Sequence, residues 1–565
     1  MKLLTKRVLL ALAFILLSMG VLYRSSGLQY HMWEDEVHHN EVILKSRSLM
    51  ELRRDICSQS QPILEYAIRK LVWFKFFSPI NDTALRIPSA FYAVLTLITG
   101  FYFFWRKGKI YSSVFFVILF FSAGIEIQYA HEARHYSFVS LAGLLFVMAL
   151  LNLLDCSSNN KKYGARLFLF YLSSLLLLNS HFFSFFLVSG CLFIILCRDI
   201  EKKNLLIINA LSILLVFGVT ALVNYPALQF LLQAPPGKLD MPFSILSFPW
   251  QDAYRLFLGF LEDMSQIGML KEAFSIIEFP YLLPAIIMIN LVVNFSRKRM
   301  AFYSSVLMSL YLLLLCCRYK SDYGFGERYV IFYSPILVIL TIDSILTLLF
   351  SAPVIYKKLF NWRHLSSCRI SKAIKVIVGC FFIYFALISL KDFSYKYESI
   401  QKPEDIRMKD SIKSLALYIR QEGGRALILE LSAVWEMDQW DMYLNYLYKN
   451  DSYNEFPVSN VVTRCLGTAG VNDIDDLKNE GFNAVYIGNV YENPFDKVKF
   501  KSDVYIFDSI YFYIKIHKKD NKPMKYDDII NSLKIMGCGF SSNPTTVPLE
   551  TIPAFHCNPA NADRE

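Results

Sequence analysis

Three sets of residues in this chain carry groups that could do chemistry. The first is Trp33-Glu34-Asp35-Glu36-Val37-His38-His39, in which consecutive carboxylates precede two imidazoles. Carboxylates beside an apolar stretch are costly unless water or a ligand meets them. The cluster therefore reads either as a solvated interfacial loop or as a general base or metal ligand at a membrane surface. The second set is Glu126-Ile127-Gln128-Tyr129-Ala130-His131-Glu132-Ala133-Arg134-His135-Tyr136. It contains His131-Glu132-x-x-His135, the spacing of zinc hydrolases. On a helix those imidazoles share one face, and the glutamate would activate a metal-bound water. Against this, the motif lies in a short turn between two apolar runs, and Ser137–Leu154 supplies no third ligand. The third set is Arg86-Ile87-Pro88-Ser89 and Gly326-Glu327-Arg328-Tyr329, each placing an arginine where an apolar run begins. Such an arginine either snorkels to lipid headgroups or holds an anion. Asp343 lies within an apolar run, which makes it a functional candidate by default. Its depth toward the inner side favours a structural partner.

What must position these groups is a membrane protein. Of 565 residues, 55% are hydrophobic, 16% aromatic and only 19% charged, and the mean hydropathy is +0.36. These values exclude a disordered chain, a nucleic-acid binder with a basic surface and a purely soluble enzyme. Apolar stretches near 8–23, 84–105, 110–125, 137–154, 166–180, 183–197, 204–223, 279–295, 301–317, 329–350 and 374–391 predict eleven spans, each roughly long enough for a ~30 Å hydrocarbon core. Residues 62–77 are apolar but carry Glu65, Arg69, Lys70 and Lys75, which predicts an amphipathic helix in the interface.

The charges set the orientation. Residues 1–392 carry 38 basic against 23 acidic side chains, whereas 393–565 carry 20 against 25. Loops holding Lys2, Lys6 and Arg7; Arg106, Lys107 and Lys109; Lys161, Lys162 and Arg166; Arg198, Lys202 and Lys203; Arg297–Arg299; and Lys357–Lys372 fall on one side. The positive-inside rule places that side and the N-terminus in the cytoplasm. An odd number of spans then places residues 393–565 outside. Tyr23-Arg24-Ser25-Ser26 is a poor cleavage site, so the first apolar run is expected to stay as a span. Two long segments, 24–83 and 224–278, also face outside, as do eight of the nine histidines. Long loops of this kind are usually functional.

The tail reads as an α/β domain over 393–540, followed by a loose end over 541–565. Helices are expected at Lys409–Gln421 and Asp438–Tyr448, and strands at Arg425–Leu431, Asn483–Ile487, Val504–Ile506 and Tyr511–Ile516. Four cysteines, Cys57, Cys465, Cys538 and Cys557, face outside, and Cys538 with Cys557 is the first pair to test for a disulfide.

In order and placement, several motifs together resemble the GT-C superfamily of polyprenyl-phosphate-sugar-dependent glycosyltransferases. The resemblance is nearest to the bacterial branch with rhizobial galacturonosyltransferases and lipid A aminoarabinose transferases. The residues that carry it are Trp33-x-Asp35-Glu36, Gln61-Pro62-Ile63-Leu64-x-Tyr66, Leu85-Arg86-Ile87-Pro88-Ser89-Ala90, Gln128-Tyr129-x-His131-Glu132-Ala133-Arg134-x-Tyr136, Ser180-His181-Phe182 and Arg328-Tyr329. The chain departs from the pattern at Gln61, where many relatives have proline, and at His135, where many also have proline.

The resemblance implies a polytopic α-helical, GT-C-like fold in a bacterial inner membrane, in keeping with the eleven expected transmembrane helices and the extracytoplasmic C-terminal α/β domain read from the apolar runs and charges. It implies inverting transfer of a sugar from a polyprenyl-phosphate donor to a hydroxyl of a lipid, glycan or protein acceptor, for example in lipopolysaccharide. Asp35 is then the expected base, and Glu36 would orient it or bind acceptor or metal. Arg134, then Arg328 and Arg86, would stabilise the leaving phosphate. His38, His131, Glu132, His135 and Tyr136 are candidates for substrate or for a divalent metal (Mg, Mn or Zn), and His135 is expected to be the least sensitive to substitution. Two other classes compete: a glycolipid transporter or flippase, which needs broken, ionisable segments near the midplane, and the zinc protease.

Overall fold

Lys2, Lys6 and Arg7 lead into an uninterrupted apolar run, and that run forms the first helix, α1 (Lys2–Ser25). The computed structural model describes residues 2–26, 34–58, 61–77, 82–121, 124–157, 160–227, 331–360, 425–430, 461–465, 480–488, 502–510 and 513–535, with single positions at 28, 229, 302–309 and 415–422. Two compact units divide the chain: residues 1–28, 46–76 and 86–400, and residues 29–45, 77–85 and 401–565.

The first unit is helical. After α1 its described elements are α3 (Leu49–Ser58), α4 (Leu64–Ile68), a π-helical turn (Arg69–Trp73), α5 (Phe74–Phe76), most of α6 (Asp82–Arg106), α7 (Ile110–Phe121), α8 (Gly124–Ala130), α9 (Tyr136–Leu154), α10 (Tyr163–Leu178), α11 (Ser184–Asp199), α12 (Lys203–Val223) and α13 (Ser334–Phe360). Within these, Thr83–Arg106, Tyr136–Leu154 and Lys203–Val223 are long and apolar enough to cross a membrane, and Leu10–Ser25, Ile110–Phe121, Tyr163–Leu178 and Ile331–Thr347 are shorter apolar helices.

Eight of the eleven predicted spans coincide with these helices, including 166–180 and 183–197, which the sequence separates only weakly. The break between α10 and α11 has a polar cause. Asn179 Nδ2 donates to Leu175 O at 2.8 Å and to Thr220 Oγ1 at 3.1 Å, and Ser184 Oγ donates to His181 O at 2.6 Å. Side-chain bonds thus satisfy backbone and side-chain groups where the helical ladder stops. The predicted spans 279–295 and 374–391, the segment 230–278 and nearly all of 301–317 lie outside the described residues.

Every residue of α7 from Ser112 to Phe121 is buried. A helix that is apolar all round has no solvent face, and α7 packs against α1 and α13, with α9 packing against α10 and α13. The opposite extreme is α12, where only 11% of the apolar window is buried, as befits a helix facing lipid.

The second unit contains α2 (Glu34–Lys45) and a five-stranded sheet of β1 (Ala426–Glu430), β2 (Val461–Cys465), β3 (Ala484–Gly488), β4 (Tyr505–Ile510) and β5 (Tyr513–Lys518). The strand order is β2-β1-β3-β5-β4. β1 pairs parallel with β2 and β3, while β5 pairs antiparallel with β3 and β4. Leu427, Leu429, Val485, Ile487, Ile514 and Ile516 alternate onto one face, which α14 (Tyr526–Ile535) covers with Ile529 and Leu533. Four strands fall within a few residues of their predicted places. The edge strand β2 and helix α14 were not anticipated; β2 shows no clear alternation, and the signature of α14 is the Asp527-Asp528 pair in its first turn. The predicted helix Asp438–Tyr448 and the tail with Cys538 and Cys557 lie outside the described residues; Cys57 is buried as a free thiol.

Candidate functional site

The turn between α8 and α9 holds most of the predicted site residues, and it is not a helix. α8 ends at Ala130 and α9 begins at Tyr136, leaving residues 131–134 as bends and 135 as a turn. This corrects the zinc-hydrolase geometry, because the two imidazoles do not share a helical face. His131 Nε2 lies 3.0 Å from the Tyr23 carbonyl oxygen, which requires that Nε2 carry the proton. His135 instead shares a 2.9 Å hydrogen bond between its Nδ1 and the Tyr66 hydroxyl. Glu132 accepts from Gln128 Nε2 at 3.0 Å.

Arg134 is buried, and its guanidinium carbon stands 4.8 Å from the centroid of the Tyr136 ring, a cation–π contact within the turn. It is also close enough to Tyr66 to favour that phenolate, although burial dominates and drives the Tyr66 hydroxyl far above its ordinary value. Tyr136 in turn lies against Tyr129 at 4.6 Å and against His135 at 4.5 Å. Each predicted residue of the turn therefore has a described place: His131 against α1, Glu132 against α8, Arg134 over Tyr136, and His135 against Tyr66.

The segment expected to lie flat in the interface is what grips this turn. In its distal part Leu71, Val72, Lys75 and Phe76 are exposed. In its proximal part Glu65 and Arg69 are fully buried and paired at 2.8 Å. Arg69 Nε and Nη2 both donate to Glu65 Oε1, Nη1 donates to Ala133 O at 3.1 Å, and Nη2 reaches Ser89 Oγ at 3.3 Å and Arg134 O at 3.4 Å. Ser89 Oγ itself donates to Arg134 O at 2.9 Å. Ser89 stands one helical turn beyond Arg86 on α6, so the two share a face; Arg86 is buried as well. The i,i+4 spacing of Glu65 and Arg69 was visible in the sequence, but their burial was not.

Two further buried groups flank the turn. Arg24 Nη2 donates to Phe120 O at 2.6 Å and lies 5.4 Å over the Phe120 ring, capping the end of α7. Glu126 accepts from Ser140 Oγ at 2.8 Å. Burial pushes the Glu126 carboxyl up to about 7, opposed by the hydroxyls of Ser140 and Ser334 and by the charge of Arg24. On the other side, His181 stacks on His135 at 6.1 Å and lies 5.6 Å from the Phe332 ring. Burial holds its imidazole down to about 3, so it is neutral at any physiological pH.

The remaining predicted residues are placed separately. Asp35, Glu36, His38 and His39 fall on α2, in the second unit, with Glu36 and His39 buried. The side chains of Asp35 and His38, and the whole of Arg328, lie outside the described residues. Asp343, on α13, accepts from the Tyr303 hydroxyl at 2.7 Å, the structural partner expected for it. Among the described residues, no group of three or more His, Cys, Asp or Glu is placed to hold a metal ion. The donors of the turn do not fit one either, since His131, Glu132 and His135 each turn to a different protein group.

The described residues form a helical bundle around the buried part of α7, a charged turn held by Arg69 and Ser89, and a mixed sheet, and the chain shares its fold with solved structures. The chain is similar to the crystal structure of ArnT from Cupriavidus metallidurans bound to undecaprenyl phosphate, with a TM-score of 0.51 at 10% identity over 90% of this chain and 97% of that one. The apo state of the same ArnT gives 0.49 at 10% identity, covering 89% and 97%. The archaeal oligosaccharyltransferase AglB from Archaeoglobus fulgidus, in complex with an inhibitory peptide and a dolichol-phosphate, gives 0.45 at 11% identity, covering 84% and 69%. Neither a protein-family model nor a curated protein sequence matches the chain. At this identity it is the fold that is shared.

Proposed function

We propose that this protein is a membrane glycosyltransferase that moves a sugar from a polyprenyl-phosphate donor to a hydroxyl of a lipid, glycan or protein acceptor on the extracytoplasmic face, with inversion. The observation that carries the reading is Arg134. It is a buried cation on a turn whose main chain is fixed by Arg69 and Ser89, in a chain with the fold of a protein crystallised with undecaprenyl phosphate. A charge held this way is suited to a phosphate that gains negative charge as the glycosyl bond breaks, because it needs no reorganisation at that moment. Arg69 cannot serve that role, since Glu65 neutralises it. Arg86 and Arg328 are secondary candidates. Asp35 is the proposed base, taking the proton of the acceptor hydroxyl as its oxygen attacks the anomeric carbon and the phosphate departs, with Glu36 orienting it or the acceptor.

The test is sugar transfer by the purified full chain from radiolabelled polyprenyl-phosphate sugars, with and without a chelator. Arg134→Ala should abolish transfer and Arg134→Lys should retain a fraction, since lysine keeps the charge but loses the planar fork. Wild-type activity in Arg134→Ala would overturn the assignment. In cells, envelope glycolipids from a deletion strain should lack one sugar-sized unit by mass spectrometry. No loss of any unit would count against the reading.

A further inference from the structure

We infer that Arg69 is a positioning residue, which sets the aim of the Arg134 guanidinium by locking the main chain beneath it; the inference rests on Arg134 binding the donor phosphate. One short stretch of the first outer loop, Glu65 to Arg69, grips three consecutive residues of the turn. Arg69 takes the carbonyls of Ala133 and Arg134, and Tyr66 takes the ring of His135. A second hold on Arg134 O comes from Ser89 of α6. The peptide group of Arg134 is thus fixed from two elements, by groups that lie far from it in sequence.

The chemistry of the pair supports this role. A buried ion pair contributes little net stability, because desolvation offsets the attraction, and an apolar pair of the same size would hold a helix as well. What an apolar pair cannot do is point donors at two adjacent carbonyls. The guanidinium fork can, and lysine cannot reproduce it. Glu65 supplies the countercharge that lets a cation stay buried there without itself attracting the phosphate. The π-helical turn starts at Arg69; such insertions shift the residues that follow relative to an α-helix and recur at functional sites.

The experiment is a double-mutant cycle read by binding of undecaprenyl phosphate to the purified full chain, together with KM and kcat for transfer. Arg69→Lys should weaken binding about tenfold and Arg134→Ala by about ten- to a hundredfold, in line with loss of charge-assisted bonds. The double variant should bind no more weakly than Arg134→Ala alone, because Arg69 acts only through that residue. Ser89→Ala, a smaller change less prone to misfolding, should weaken binding several-fold with the same non-additivity, and should raise KM for the donor more than it lowers kcat. Multiplicative effects, or wild-type affinity in both Arg69→Lys and Ser89→Ala, would show the clamp to be structural only. Wild-type affinity in Arg134→Ala would instead remove the phosphate reading itself, and the inference with it.

Discussion

The buried Glu126 carboxyl and the buried His181 imidazole flank the same turn and titrate in opposite senses, and their removal should reshape the pH dependence of stability. Glu126 rises from an ordinary value of 4.5 to about 7 in the folded chain. Its contribution is therefore complete below about 4.5 and is lost as pH rises through 7. At 1.36 kcal/mol per unit, the shift of about 2.5 units amounts to on the order of 3 kcal/mol. His181 falls from 6.5 to about 3, so its contribution is complete above 6.5 and is lost as pH falls toward 3. Where the windows overlap, between about 4.5 and 6.5, the folded chain holds one proton more at Glu126 and one fewer at His181. The slopes cancel, and the wild type should show a plateau in apparent Tm across that range. Glu126→Gln should replace the plateau with a rise toward neutrality worth on the order of 3 kcal/mol. His181→Phe should replace it with a decline of similar size. The assay is thermal unfolding in detergent from pH 4 to 8 for the three proteins. Parallel profiles for wild type and Glu126→Gln would refute the reasoning.

Other outcomes follow from the same structure. Asp35→Asn should cut transfer by about 10²–10⁴-fold while the chain stays inserted; turnover above about a tenth of wild type would pass the base role to Glu36 or Glu34. Gly143→Ala should destabilise by about 1–3 kcal/mol, because its Cβ would stand 2.4 Å from Phe332 O, whereas Gly218→Ala, with nothing within 4 Å, should gain up to about 1 kcal/mol. Thermal unfolding of the two in parallel checks the sign of each. A reporter fused after Glu565 should be active only outside the cytoplasm, as the basic loops require, and strong cytoplasmic activity would mean a miscounted span.

The fold was legible wherever a local pattern suffices. Long apolar runs marked α6, α9 and α12, and short strand-like runs marked four strands, the last of them by alternation. The candidate turn was legible too, because Glu132-Ala133-Arg134 and Tyr136 stand together in sequence. Its supports were not. The ties of Arg69 to Ala133 and of Ser89 to Arg134 depend on which side chains are buried, and nothing in Pro62–Phe77 distinguishes the buried Glu65 and Arg69 from the exposed Lys75. The same holds for His135, a substrate or metal candidate expected to be the least sensitive to substitution: its bond to Tyr66 and its stacking on His181 were not visible in the sequence. The zinc-hydrolase spacing was set against its place in a short turn, and residues 131–135 are non-helical, so the same letters need not share a helical face.

The burial of α7 from Ser112 to Phe121 bears on how the chain is built. A twelve-residue helix rises only about 18 Å, short of the ~30 Å hydrocarbon core, so α7 is a poor free-standing span despite being almost purely apolar. Its neighbour α1 is made before it, but α13 emerges from the ribosome much later in the chain. Until then the part of α7 that packs on α13 must be shielded by lipid or by a chaperone. Closure of the bundle is therefore a late step of biogenesis, and a chain truncated before α13 should be recognised by membrane quality control rather than persist as a partly assembled bundle.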